Sequence, residues 1–374
     1  MIRPAGFVRL TPLYILLSLI LITLSPFLEL AKKPYIDLLL FIAFPSLIKG
    51  SLFQLYPTLQ GKPIRGGRLI YFHFLLNILN AFYFLLNYEI NQLLYTADNL
   101  LFLLLILLNT HRLSDPSVVF LFVGSLYTPL VCLLMWFEQN PLLIKHAITS
   151  GFFLNVITGS YYVFVPMLQI EELWRPKLRW LNLLLLNLSS LFVLYCFYLK
   201  NYTLIAYGGS GVLISMLLLF LIIYKTLSQR RSPLKGLDIS VKFLLLGLFF
   251  FTFFLSVGIS SAGSQNFGFI SWHKEGMLYG FLTFITVGAT YHIVPFMLWW
   301  RVYAPKMGKE KIPTLKELLK PETLEIFLLL GIPTFTLSLV FKPFNEPLSN
   351  LLLIGFSLVL LYYTLKLIPL VSRL

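Results

Sequence analysis

Apolar residues in this chain come in long, nearly unbroken runs, separated by short polar or proline-bearing breaks. A run of about 20 such residues is what a helix needs to cross the hydrocarbon core of a bilayer. Runs of this kind lie near 10–30, 35–56, 68–87, 91–110, 117–137 and 142–168, then near 177–199, 202–226, 241–262, 270–300, 324–342 and 347–371. The pattern predicts twelve spanning helices that take up almost the whole chain, so residues 1–374 read as one integral membrane domain.

A second pattern is laid over the first. Gly50-Ser-Leu-Phe-Gln-Leu-Tyr-Pro57, Gly159-Ser-Tyr-Tyr-Val-Phe-Val-Pro166 and Gly288-Ala-Thr-Tyr-His-Ile-Val-Pro295 share one form: Gly, Ser or Ala, then an aromatic, then Pro. The copies fall on runs two, six and ten, with three further runs between one copy and the next. Self-similarity at a fixed period is read before any single residue. The expected fold is therefore all-α: a polytopic bundle of about twelve transmembrane helices in three four-helix repeats, near 1–112, 113–226 and 236–374. Within each copy the Gly admits a close neighbour, and the aromatic and Pro suit an interfacial helix end.

Composition agrees with the runs. Hydrophobic residues make up 58% of the chain and charged residues 12%, against roughly 45–50% and 25% in soluble domains. The net charge of +14 raises the question of nucleic acid, and the placement of the cations answers it. With the N-terminus inside, 23 of the 29 Lys and Arg fall on the cytoplasmic side, as the positive-inside rule requires. Nucleic acid is not an expected partner. The expected setting is a prokaryotic plasma membrane with both termini cytoplasmic and the lipid bilayer as the principal partner. The first run, with Arg3 and Arg9 before it, is too long for a signal sequence, and Ser25-Pro-Phe-Leu-Glu-Leu-Ala31 is a poor cleavage site. It reads as a retained helix. Cys132 and Cys196 stand inside apolar runs and read as small buried hydrophobes.

Aligning the repeats on their prolines compares the other ends of the same helices. Twenty residues before Pro57, Pro166 and Pro295 stand Asp37, His146 and Glu275, and His273 lies two residues before Glu275. Carboxylates and imidazoles together can bind a metal, relay protons or hold a porphyrin through a histidine nitrogen. Ionisable groups at membrane depth are functional candidates. The plainer alternative is that Asp37 and Glu275 stabilise helix N-termini, where a carboxylate meets the positive end of the dipole. His73, Asn77, Asn80 and Asn87 lie on one face of span three. That stripe should face the bundle interior, as interhelical hydrogen bonds or as the wall of a polar path. His111 reads as a surface residue, and His292 is about 28 Å along the helix from His273.

Three further features read as structural. Tyr207-Gly-Gly-Ser-Gly211 suggests close helix packing. Pro333 implies a kink in span eleven. The loop from Lys306 to Lys320, with Ile312, Leu315, Leu318 and Leu319 among its charges, predicts a short helix on the membrane surface whose basic residues bind anionic lipid or only set topology.

The twelve spans, the three four-helix units and the Gly, aromatic and Pro endings together resemble subunit I of the haem-copper oxidases. The likeness is sharpest from Trp272-His-Lys-Glu-Gly-Met-Leu-Tyr-Gly280 to Tyr291-His-Ile-Val-Pro295, which looks like the tenth helix of that family. The resemblance implies that His273 takes the place of the high-spin haem ligand and that Glu275 replaces the low-spin ligand, whose span-two partner gives way to the neighbourhood of Tyr35 and Asp37. The family's copper ligands on spans six and seven are missing, and His146 is followed by Ser150 where a Tyr is expected. His146-Ala-Ile-Thr-Ser-Gly-Phe152 is similar in part to stretches of the NnrS-type haem and copper membrane proteins.

The functional expectation is a divergent oxidase-like protein that is not a competent terminal oxidase. It would hold haem b, or copper or another metal ion, near the outward face through His146 and His273, with Asp37 and Glu275 as metal-ligating or supporting carboxylates. Its role would lie in respiratory electron transfer, or in related assembly or stress functions beside other respiratory-chain or membrane subunits. Two alternatives stand: a transporter whose polar path includes His73, Asn77 and Asn80, and a scaffold subunit with no cofactor.

Overall fold

The computed structural model describes residues 8–138, 140–231 and 236–374. Arg3 and Lys235, both counted among the cytoplasmic cations, lie outside them. Among the described residues the chain is helical throughout, without strands. Twelve helices are long and apolar enough to cross a membrane: Thr11–Leu30, Tyr35–Gln60, Gly67–Asn87, Gln92–Asn109, Pro116–Phe137 and Pro141–Gln169, then Leu178–Tyr198, Tyr202–Ser228, Ile239–Ser264, Ile270–Lys306, Glu322–Phe341 and Glu346–Val371. They are spans one to twelve. Helices are favoured here because lipid offers the backbone no hydrogen bonds, so each segment must satisfy its own. Several start where the sequence supplies a cap: the side chains of Asp115, Asn140, Asn201, Asp238 and Asn345 each accept a backbone N–H of the following turn.

The chain divides into two compact units, Met1–Asn91 with Leu282–Leu374, and Gln92–Phe281. In the first, Phe284, Phe327, Phe335 and Phe356 form an aromatic core with ring centroids 5.4–6.4 Å apart. Tyr363 hydrogen-bonds Thr290 at 2.8 Å beside it, and Lys342 pairs with Glu29. In the second unit, amides tie the helices together. Asn155 and Asn187 exchange hydrogen bonds at 3.1 and 2.9 Å, and Tyr127 donates to Asn187 at 3.2 Å. Asn182 donates to Tyr162 at 2.7 Å and accepts from Ser215 at 2.6 Å. Such bonds across helices replace the hydrophobic drive that lipid does not supply.

Two of the three motif glycines, Gly50 and Gly159, make the close approach expected of them. A Cβ on Gly50 would lie 2.3 Å from Tyr14 Cβ on span one, and one on Gly159 would lie 2.8 Å from Phe120 Cβ on span five. Each packs its helix against the span before it. The glycine run on span eight behaves the same way: Gly208 and Gly211 press on Val193 and Ser189 of span seven, Gly209 on Ile259 of span nine.

Pro57 and Pro166 stand in the last turn of their helices, as a helix-end role requires, while Pro295 and the aromatics differ from expectation. Pro57, Pro166 and Pro295 lie inside their helices, which continue to Gln60, Gln169 and Lys306. A proline removes one N–H, and the carbonyl four residues earlier loses its helical partner; one lost bond does not end these helices. The residue four before each proline is the aromatic of the motif, Phe53, Tyr162 or Tyr291. All three are buried rather than interfacial.

π-helical turns interrupt spans two, six and ten at Leu39–Ala43, Ala147–Phe153 and Gly276–Leu282. Counted from the prolines, these start 18, 19 and 19 residues back. Two further π turns lie at Trp299–Tyr303, near the end of span ten, and at Phe327–Gly331, just before Pro333 at the predicted kink of span eleven. The surface helix expected after Lys306 is a single turn, Leu315–Leu318, and its apolar side is turned to the protein.

Candidate functional site

Span six starts with Asn140 as cap and Pro141 in the first turn, and its opening α-helical segment ends at His146. The His146 imidazole donates from Nδ1 to the carbonyl of Leu142, 2.7 Å away, one turn back. Its ring stacks on Phe197 of span seven, with centroids 4.1 Å apart. The π turn follows at once. There the usual carbonyl partners are displaced by one residue, and hydroxyls fill in: Ser150 donates to the His146 carbonyl at 2.7 Å and Thr149 to that of Lys145 at 2.8 Å.

His273 stands at the matching end of span ten, in the short α segment Ile270–Glu275 that precedes the third π turn. Its Nδ1 donates to the carbonyl of Phe254 on span nine at 2.9 Å. Span nine is shaped for it. A Cβ on Gly258 would lie 2.5 Å from Nδ1 of His273, and one on Gly276 would lie 2.1 Å from the Phe254 ring. Phe254 thus holds the start of span ten twice, by its carbonyl and by its ring.

Both imidazoles therefore carry their proton on Nδ1, because a carbonyl only accepts. In the neutral ring that leaves the Nε2 lone pair available, the arrangement in which histidines serve as ligands. His146 and His273 belong to the same unit and interact electrostatically. Glu275, also in that unit, is buried at 2% exposure. Asp37 is half-buried in the first turn of span two. Among the described residues, no three His, Cys, Asp or Glu side chains come together in a group able to hold a metal ion. His273 and Glu275 share the opening segment of span ten, while His146 closes the opening segment of span six.

The stripe on span three lies in the other unit. His73, Asn77 and Asn80 are buried at 0, 3 and 6% exposure, while Asn87 is exposed and donates to the Tyr83 carbonyl. His73 Nδ1 lies 2.6 Å from the Tyr14 hydroxyl and 3.3 Å from the Asn77 amide nitrogen. Asn77 also donates to the His73 carbonyl at 2.9 Å and accepts from Ser46 at 2.8 Å. Phe53 stands edge-on to both Tyr14 and His73. These contacts join spans one, two and three. His111 is half-buried in the loop after span four, and His292 stacks on Phe296.

Two buried ionisable residues escaped the sequence reading. Lys49, counted with the loop after span two, is 1% exposed inside that span. Asp98 is 3% exposed on span four. The signal was present in each case, a charge within an apolar run.

No protein-family model matches the chain. It is similar to an uncharacterized protein of Aquifex aeolicus (strain VF5), with 28% identity over 307 residues, 79% of this chain and 80% of that protein.

Proposed function

We propose that this multi-pass membrane protein is a divergent relative of haem-copper oxidase subunit I that binds a haem, haem b being the simplest fit, through His146 and His273. The observation that carries the reading is the shared setting of the two imidazoles. Each fixes Nδ1–H on a backbone carbonyl and keeps Nε2 for a ligand. Two such nitrogens would be the residues to hold a haem through its iron. A stand-alone copper or other metal ion generally takes three or more protein ligands, so the donor set favours haem. A haem held there would supply one-electron transfer, the step expected of a respiratory or associated assembly or stress protein that is not a terminal oxidase. The protein's own part is to orient the rings, by Leu142 and Phe254, and to shield them, by Phe197 and Phe254.

The three-repeat arrangement belongs to the same proposal. Support comes from the π turns at matching distances from the three prolines, each next to Asp37, His146 or Glu275, and from the glycines that pack spans two and six on the spans before them. In this reading the His73 stripe is interhelical packing, since Asn77 bonds within the bundle to both His73 and Ser46. The transporter alternative would instead require flux through that stripe, sensitive to Asp37→Asn.

The test is a pyridine haemochrome spectrum with metal analysis on the purified full chain. The expected result is a Soret band that is lost in His146→Ala and in His273→Ala while the protein still purifies as a folded species. Folded protein with neither absorbance nor bound metal, after expression with haem supplied, overturns the reading.

A further inference from the structure

Span ten has 37 residues, Ile270–Lys306, or about 55 Å at 1.5 Å per residue, against a hydrocarbon core of about 30 Å. Its last turns therefore reach beyond the acyl chains. They carry Trp299, Trp300 and Tyr303, residue types that settle at headgroup level. The chain then turns back along this helix. Trp299 donates from its indole nitrogen to the carbonyl of Pro313 at 2.8 Å, and Tyr291 donates to the carbonyl of Leu319 at 2.9 Å. The two anchors are eight residues apart, about 12 Å along the axis. The segment 313–319 thus runs as a strap from the level of Trp299 down to that of Tyr291.

The strap has two sides. Ile312, Leu315 and Leu318 are half-buried and Leu319 is 4% exposed, while Lys309, Lys311, Lys316 and Lys320 are exposed. Glu317 lies in the field of Lys311, and the acidic neighbours have other partners as well. Glu310 pairs with Lys306 at 3.2 Å. Glu317 accepts from the Thr314 backbone at 2.6 Å and hydroxyl at 3.1 Å, closing a capping box. Glu322 and Glu325 stand in the first turn of span eleven, where the helix dipole favours them.

We propose that the strap is a binding site for anionic phospholipid, with Lys311, Lys316 and Lys320 holding the headgroup phosphate. A positive-inside signal needs only the charge count; it does not need the lysines fixed on one side of a doubly anchored segment at headgroup depth. Basic residues beside a span attract anionic lipid strongly enough that each is worth about fivefold in retention.

The experiment uses the full chain in nanodiscs of phosphatidylcholine with phosphatidylglycerol, followed by native mass spectrometry of the lipid retained. The expected result is preferential retention of phosphatidylglycerol, reduced about a hundredfold in Lys311→Gln/Lys316→Gln/Lys320→Gln and kept in the matching Arg triple variant. Lys62→Gln/Arg68→Gln/Lys177→Gln, which removes equal charge from exposed positions elsewhere, should retain it as the parent does. Equal loss in both Gln triple variants, or no loss in either, overturns the site. Neither result depends on haem.

Discussion

A single methyl group on span nine tests how His273 is held. In Gly258→Ala the new Cβ would sit 2.5 Å from Nδ1, 2.7 Å from Cε1 and 2.9 Å from Cγ of His273, where ordinary contact starts at 3.4 Å. The ring must retreat by about 0.9 Å, on the difference between those distances, and its 2.9 Å bond to Phe254 cannot survive that. Overpacking costs about 1–3 kcal/mol and the lost hydrogen bond about 0.5–1.5, offset by about 1 kcal/mol of better helix propensity. A net loss of about 0.5–3.5 kcal/mol follows. Gly263→Ala on the same helix is the control, since its Cβ would meet only Ala206 at 3.5 Å; the propensity gain should then stand alone. Thermal or SDS unfolding in detergent, followed by tryptophan fluorescence, should place Gly258→Ala clearly below the parent and Gly263→Ala at or above it. If both variants unfold alike, the close approach of span nine to His273 is wrong. Where haem is bound, the same variant should weaken the Soret band, a readout that a loss of packing elsewhere in the unit does not predict.

The amide pair and the loop cap give two more tests. Asn187→Leu removes four bonds, two with Asn155, one from Tyr127 and one to the Leu183 carbonyl, and should cost about 1–3 kcal/mol; Asn155→Leu removes three, the two with Asn187 and one to the Gly151 carbonyl, and should cost less. In a double-mutant cycle by SDS unfolding the two should be non-additive by about 0.6–1.7 kcal/mol, and strict additivity would contradict the pairing. Glu317 is held below its ordinary value of 4.5, first by the Thr314 backbone N–H and then by its hydroxyl. A carboxylate with a depressed folded pKa stabilises fully above its unfolded value and less as pH falls through the folded one. Proteolysis or hydrogen exchange within 311–320 should thus accelerate below about pH 4.5, and Glu317→Gln should abolish that acid dependence; a loop that opens identically in both would refute the cap.

The spans were legible because lipid imposes a length, and a run of apolar residues records it directly. The packing role of the repeat glycines was legible for a similar reason: a missing side chain is visible in the sequence. The proline endings held to within a turn for spans two and six, which stop at Gln60 and Gln169, and failed for span ten, which runs on past Pro295 to Lys306. The stripe of His73, Asn77 and Asn80 announced which face is buried, yet its partners Tyr14 and Ser46 come from other spans. Periodicity fixes a face and says nothing of what covers it. The π turns left no readable mark at all, since residues such as Leu39–Ala43 would sit equally well in an α-helix.

Histidine shows what the structure adds to that reading. The sequence sets His146 and His273 apart from His73 by position alone, at the starts of spans six and ten rather than in the Asn stripe of span three. Their hydrogen bonds divide them. At His73, Nδ1 is engaged by the Tyr14 hydroxyl and the Asn77 amide nitrogen, side chains that tie spans one and three together. At His146 and His273 the partner of Nδ1 is a carbonyl, which fixes the proton there and leaves the lone pair on Nε2. One of those carbonyls, Leu142, is a turn away and follows from helix geometry; the other, Phe254, lies 19 residues back on a different span. Two unrelated routes to one orientation, in residues of one unit, are harder to assign to packing than either alone. That convergence is why the binding proposal rests on these two rings and not on the carboxylates beside them.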